Sequence, residues 1–384
     1  MISLVHLKKD FVNRYGHDPR VFRAPGRVNL IGEHVDYNEG CVLPIAIDRY
    51  CHVLARAREN ATLRVHSEQF SETVEHALGA PRRGGHHWSD YVRGVAWALG
   101  EAGAKLSGAD MLIASDVPIG AGLSSSAALE VATAFALLGL SGQPMDRAAI
   151  ARVCQRAENE FVGMRCGPMD QLAACFGMEH HALRIDCRTL EVVPVPLDES
   201  QVRVVVANTM VKHALAGSEY NARRQECEAA VRLIHAQHPA VRALRDIAWH
   251  DIEPLAKTWP DNLCRRARHV TTEIARVPPA VEALRCSNWE AMRLLLEASH
   301  ASLDADYQVT SPELNTMVAL ARELPGYCGA RMTGGGFGGC TVNLVRTEHA
   351  EAFVANLAAR YERATGRRPD VYLCRASDGA GEVS

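Results

Sequence analysis

Residues 26–37, GRVNLIGEHVDY, constrain the fold of this chain more than any other stretch. An apolar run at 28–31, broken only by Asn29, is flanked by Arg27, Glu33, His34 and Asp36. A core strand would not tolerate that many unpaired charges. A surface loop would not need the apolar run. The pattern predicts a short strand that delivers polar groups into a pocket, with two glycines permitting tight turns. Taken alone, the same residues also fit a solvated hairpin.

Two distant glycine-rich segments bear on that choice. Residues 118–128, PIGAGLSSSAA, run into a helix expected over 126–138 that is apolar nearly all round. Gly120 and Gly122 allow a tight turn, and Ser124, Ser125 and Ser126 are expected to cap the helix, whose free amides attract anions. The segment reads as a phosphate cradle or as a capped core helix. It is not a Walker A loop, because no lysine follows the glycines. Ser125 stands where a Rossmann motif needs its third glycine, and Ser126 where a nucleophile elbow needs one. The second segment packs five glycines into positions 334–339. Such density implies close backbone approach or unusual dihedrals, although a hinge would also use it. Residues 163–171, GMRCGPMDQ, place Asp170 just past a Gly-Pro turn, where Gly167 can offer its amide. Asp170 fits a ligand contact and a turn or cap residue equally well.

With 384 residues, the chain has room for two domains or one large one. A net charge of -3 gives no electrostatic reason to expect nucleic acid or an anionic membrane. The longest nearly apolar run, 127–140, is interrupted by Glu130 and too short to span a bilayer. Leu4, Leu7 and Phe11 predict an amphipathic amino-terminal helix rather than a signal sequence. Twelve cysteines without C-x-x-C pairs argue for reduced thiols in a cytoplasmic protein. Strands are expected at 62–67 and 202–207, with a hairpin over 181–187 and 190–195 interrupted by Pro194 and Pro196. Helices are expected over 147–162, from Pro312 behind a Ser311 cap, and over 348–364 before Gly366. The proline-bounded stretch 194–200 suggests units of 1–197 and 198–384. Strands and helices intermix in both, which favours α+β over regular βαβ alternation.

Together these segments resemble the GHMP small-molecule kinases and, within them, the galactokinase branch. The matching motifs are PGRVNLIGEHVDYNEG (25–40), PIGAGLSSSAALEV (118–131), GPMDQ (167–171), GSEYNARRQEC (217–227) and RMTGGGFGGC (331–340). The first marks the galactokinase branch, and the serine loop and final glycine loop are shared more widely. The resemblance implies an α+β GHMP kinase fold with a ribosomal-protein-S5-like N-terminal lobe, a ferredoxin-like C-terminal lobe and the active site between them.

It implies that Arg27 and Asp170 lie beside the reacting sugar hydroxyl, with Asp170 as proton acceptor. Glu33, His34, Asp36, Gly167 and Tyr220 would hold the sugar. Asp36 would accept from ring hydroxyls, Gly167 would offer a backbone contact, and Glu33 with His34 would reach the exocyclic hydroxyl. Gly120, Ala121, Gly122, Leu123, Ser124, Ser125 and Ser126 would wrap the nucleotide phosphates. Ser126 and Glu158 would hold magnesium, an ion that prefers hard oxygen ligands. Helical spacing does not choose between Glu158 and Glu160; only the resemblance favours Glu158. Trp88 and Tyr91 would face the adenine, with a core role as the alternative. Pro168 departs from the isoleucine or valine usual there, removing an amide while presetting the turn before Asp170.

The implied reaction moves the γ-phosphoryl of ATP to the anomeric hydroxyl of galactose, the first step of galactose catabolism. ATP and Mg2+ are the expected cofactors. Galactose and ATP are the expected partners, with no nucleic acid, no membrane and a monomer favoured. The alternatives are an N-acetylgalactosamine kinase and a galactose/ATP sensor without catalysis, the latter disfavoured by an intact LSSSA at 123–127. All of this requires the loops around residues 30, 122, 168 and 335 to meet in one cleft.

Overall fold

The computed structural model describes residues 3–79, 87–211 and 216–383, with the backbone alone for 216 and 217. Buried Val21, Ala24 and Val28 fix the strand Arg20–Asn29 as the second of a six-stranded sheet. Its order is Gly381–Val383, Arg20–Asn29, Pro44–Arg58, Gly108–Ser115, Thr62–Ser67, Glu72–Ala77. Thr62–Ser67 runs parallel to Gly108–Ser115, and the other pairings are antiparallel. The helix Ser125–Leu140 packs chiefly on two of these strands, Arg20–Asn29 and Pro44–Arg58. On the opposite face the predicted amino-terminal helix, Leu4–Tyr15, seats Leu7 and Phe11 against Leu54 and Leu112.

A second, antiparallel sheet has the order Tyr327–Thr333, Cys340–Arg346, Val202–Asn208, Asp370–Cys374. Met317 and Val318 of the helix Pro312–Arg322, with Phe353 and Leu357 of Ala350–Thr365, bury its Val205 and Val345. A small third sheet joins Cys41–Val42, His181–Asp186 and Val192–Pro196. Pro194 and Pro196 sit in its edge strand, where a missing amide breaks no ladder.

The predicted Ser311 cap is present, its hydroxyl accepting from the Leu314 amide at 3.3 Å. Gly366 closes the helix Ala350–Thr365 at φ 69°, as expected. Two expectations need correction. The strand expected within 26–37 starts at Arg20, breaks register between Pro25 and Arg27, and ends at Asn29. Leu30 and Ile31 lie beyond it but are fully buried, so the apolar run marks core contact rather than strand. The helix predicted over 147–162 is α-helical only as Arg147–Arg156 and continues as a π-turn, Ala157–Val162. The wider turn lets Glu158 face inward while Phe161 stays packed near Trp97, at 5.9 Å between ring centroids.

Candidate active site

Past the register break, the Arg27 amide donates to the Leu123 carbonyl at 3.1 Å, tying the strand Arg20–Asn29 to the serine loop. Each of the three guanidinium nitrogens then has a partner. Nε donates to Asp170 Oδ1 at 2.7 Å, Nη2 to Asp170 Oδ2 at 2.8 Å, and Nη1 to the Gly122 carbonyl at 2.7 Å. This bidentate geometry is the strong form of an arginine–carboxylate pair. Burial works against the Arg27 charge, but Asp170, Glu33 and Asp36 outweigh it, and the net shift of its pKa is upward. Asp170 stands in the first turn of the helix Met169–Phe176, which Pro168 opens by offering its carbonyl to the Leu172 amide at 3.1 Å.

The expected serine cap is a further correction. Ser124 adopts a left-handed φ of 58° and makes no cap; its hydroxyl donates to Asp170 Oδ2 at 2.5 Å. The first-turn amides of the helix Ser125–Leu140 thus carry no side-chain cap, which suits an anion site better than a capped end.

The second glycine loop meets this one backbone to backbone. Gly334 has φ 88°, and a Cβ there would lie 2.7 Å from the Gly122 carbonyl oxygen. No side chain fits between the two loops. Gly334, Gly335 and Gly336 line a cleft of about 290 Å³ with Gly120, Gly122, Ser124, Ser125 and Ser126. Arg27, Glu33, His34, Asp36, Glu158, Asp170 and Tyr220 line it too, so the four loops do converge. Ala121 and Leu123 bury their side chains in the core, leaving only their backbone to the loop.

On the other side of Arg27, Glu33 Oε2 accepts from Arg331 Nη2 at 2.8 Å and from the Gly334 amide at 3.1 Å. Asp36 is buried; burial, then Asp170 and Glu33, push its carboxyl up to about 7 against the Tyr37 amide and Arg27. Gly167 lies directly against Asp36, where a Cβ would overlap the carboxylate. The Tyr220 ring packs 5.5 Å from His34 and 5.4 Å from Tyr37, and His34 itself holds a left-handed φ of 60°.

Beyond the serines, Glu158 is buried on the π-turn and accepts from Gln171 Nε2 at 2.7 Å and from Cys166 Sγ at 3.3 Å. Burial, then Asp170, raise its pKa, while Ser126, Cys166 and Gln171 hold it down. Glu160 instead points outward to Arg156 at 3.1 Å. Spacing could not separate the two; the π-turn does. Among the described residues no group of three or more His, Cys, Asp or Glu forms a metal cage. The Ser126 hydroxyl and Glu158 carboxylate nevertheless suit magnesium, which keeps several waters and shares its remaining ligands with phosphate.

A second cavity of about 300 Å³ adjoins the cleft, sharing Gly120, Ser125 and Ser126. Trp88 lines it with Phe70, Tyr91 and Leu129. Trp88 stacks on Phe70 at 5.8 Å with rings 7° apart, and its Nε1 donates to Glu72 at 2.7 Å. Trp88 both packs against the main core and lines this cavity.

Several residues in and behind the cleft carry no distinct mark of their role in the sequence. Gln171 bridges Glu158 and the fully buried Glu130, reaching the latter at 3.0 Å. Glu130 was visible only as a charge in an apolar helix, which is itself the signal of a buried polar network. Met164, Cys166 and Met169 line the cleft without any pattern that marks them.

Comparison with known proteins follows the same outline. Residues 9–57 match the galactokinase galactose-binding signature, 90–178 the GHMP kinases N terminal domain, and 280–363 the GHMP kinases C terminal domain. The chain is 48% identical over 384 residues to a galactokinase from Roseiflexus, covering 100% of this chain and 98% of that one. It is 46% identical to a galactokinase from Chloroflexus aurantiacus, again over 100% and 98%. The crystal structure of Lactococcus lactis galactokinase complexed with galactose superposes with a TM-score of 0.95 at 34% identity, covering 99% of this chain and 100% of that one. A mevalonate kinase shares the fold at a TM-score of 0.66 and 17% identity, covering 92% and 98%. The chain belongs to the galactokinase family of the GHMP kinases.

Proposed function

We propose that the cleft transfers the γ-phosphoryl of ATP to the anomeric hydroxyl of α-D-galactose, giving galactose 1-phosphate and ADP. The observation that carries this is the Arg27–Asp170 pair, set where the serine loop, the second glycine loop and the Glu33–Asp36 loop meet. Phosphoryl transfer has a loose transition state, so positioning and charge neutralisation dominate. The uncapped helix start and the glycine-loop amides face the polyphosphate. The cavity at Trp88 takes the base. Glu33, His34, Asp36 and Tyr220 line the sugar side, and Gly167 holds Asp36 in place.

Arg27 is only 6% exposed at its side chain, whereas Asp170 keeps 20%, so the carboxylate is the partner that a sugar hydroxyl reaches. A carboxylate is a weak base toward an alcohol, and proton uptake by Asp170 comes late, as the hydroxyl acidifies during bond formation. Arg27 stabilises charge between nucleophile and phosphoryl group. Ser126 and Glu158 would hold magnesium, which when bound neutralises phosphate charge. A buried, doubly hydrogen-bonded Asp36 acceptor discriminates epimers, because the wrong sugar leaves it underpaired. A cytoplasmic setting rests on the twelve free cysteines. The division near residue 198 rests on Val202–Asn208 opening the second sheet.

The test compares kcat/KM for galactose, glucose and N-acetylgalactosamine with ATP and magnesium. Galactose is expected to be strongly preferred. Preference for N-acetylgalactosamine would move the chain to the sister activity. Binding of both substrates without ADP release would make it a sensor.

A further inference from the structure

Behind the sugar side of the cleft runs a chain of hydroxyls that phosphoryl transfer does not use. His34 Nδ1 lies 2.9 Å from the Tyr37 hydroxyl, which lies 2.7 Å from the Tyr307 hydroxyl, which lies 3.2 Å from Cys227 Sγ. Three separate elements build it: the short turn Asp36–Asn38, the helix Ala216–His235 and the π-turn Leu303–Tyr307. Tyr307 and Cys227 are buried completely or nearly so. The His34 ring lines the cleft beside the Gly335 backbone, with which it interacts, but its buried Nε2 makes no well-formed hydrogen bond among the described residues.

Each phenol has one proton to donate, so the chain has two self-consistent orders. In the first, Cys227 donates to Tyr307, Tyr307 to Tyr37, and Tyr37 to His34 Nδ1. In the second, every proton points the other way and the last phenol proton falls on the thiol sulfur. Sulfur is a weak acceptor, whereas an imidazole nitrogen is a good one. The Asn38 side chain also bonds to that sulfur, which uses part of its limited acceptor capacity. Burial pushes the Cys227 thiol up to about 11, with the Tyr307 and Asn38 hydrogen bonds opposing, so the group keeps its S–H. Burial, then His269, hold the His34 pKa well below the usual imidazole range, with the Gly335 backbone opposing. A neutral ring that accepts at Nδ1 carries its proton on Nε2.

We propose that Tyr37 and Tyr307 are positioning residues whose hydroxyl chain locks His34 in the Nε2–H tautomer, presenting a fixed hydrogen-bond donor to an oxygen of the sugar. The identity of that oxygen, the exocyclic hydroxyl, rests on the galactose reading above. The tautomer does not, since it belongs to the protein without substrate.

The experiment is a long-range proton–nitrogen correlation on the full chain labelled at histidine, with His34 identified by its loss in His34→Gln. Wild type is expected to show a protonated Nε2 and a bare Nδ1. Tyr37→Phe removes the donor to Nδ1 and should give a tautomer mixture. In kinetics, Tyr37→Phe should raise the galactose KM by up to about tenfold with kcat nearly unchanged, the scale of one neutral hydrogen bond. The KM for 6-deoxygalactose, which lacks the exocyclic hydroxyl, should change little. Tyr307→Phe leaves the Tyr37 hydroxyl in place and should act in the same direction, more weakly. A protonated Nδ1 in wild type, an unchanged tautomer in Tyr37→Phe, or an equal KM rise for both sugars would each overturn the proposal. Failure to phosphorylate either sugar would remove the kinase reading instead, and the tautomer would still decide this one.

Discussion

Two carboxylates that act on one arginine, Asp170 by contact and Asp36 by charge, serve different ends. Asp170 is held by Arg27 and Ser124 with its open face toward the cleft. Asp170→Asn keeps the shape of these contacts but removes the proton acceptor. Turnover should fall by roughly 10²- to 10⁴-fold, with galactose KM within a few-fold of wild type. Steady-state kinetics check this, and near-wild-type turnover would take Asp170 out of the chemistry. Asp36 is raised to about 7 by burial and by Asp170 and Glu33. Below that pH it carries a proton, and one oxygen turns from charged acceptor to donor, so kcat/KM for galactose should fall as pH drops through about 7. The stability effect has the opposite sign. Between the ordinary carboxylate value of 3.8 and about 7, the native state holds a proton that the unfolded chain has lost. Stability contributed by this group is therefore full at low pH and lost as pH rises through that window. Urea unfolding at several pH values, compared with Asp36→Asn, measures the difference. Arg27, Asp170 and Asp36 were legible in the sequence because charge beside glycine is conspicuous. That burial would move Asp36 so far was not, because it depends on carboxylates brought together from two distant loops.

At the scale of elements, glycine decides where loops touch. Gly334→Ala would force a left-handed φ of 88° on an L side chain and set its Cβ 2.7 Å from the Gly122 carbonyl. A loss of about 1–3 kcal/mol in stability is expected, together with a raised KM for ATP as the phosphate loops separate. Gly100→Ala, in the helix Ser89–Glu101 with nothing within 4 Å, is the control, expected to be neutral or stabilising. The helix beginning at Pro312 and the strand Thr62–Ser67 could be read from caps and β-branched runs. The π-turn at Ala157–Val162 could not, because one extra residue in a turn leaves the apolar spacing almost unchanged. Nor could the position of Ser124, whose hydroxyl chose Asp170 over the helix amides. A cap is a local bond, and here a tertiary partner displaced it.

At the scale of the whole molecule, one fully buried arginine ties the second sheet to the sugar loop. Arg331, on the first strand of the second sheet, donates to the carbonyls of Leu30 and Asn29 at 2.5 and 2.7 Å and to Glu33 at 2.8 Å. It thus fixes the loop that carries the sugar residues. Arg331→Met would leave the Glu33 carboxylate buried without its cation, at a cost of about 3–5 kcal/mol, read as a lowered urea midpoint with a raised galactose KM. No charge pattern in RMTGGGFGGC revealed this role, since Arg331 and Glu33 are nearly the length of the chain apart. The motifs marked the walls of the cleft, and only the fold supplied what holds those walls together. The chemistry assigned to the cleft is phosphorylation of galactose at its anomeric oxygen. The most direct measurement is the phosphorus spectrum of the product made from ATP and galactose labelled with carbon-13 at the anomeric position. A single phosphomonoester split by coupling to the labelled carbon is the predicted result. An unsplit ester, or free phosphate without any sugar ester, would contradict it.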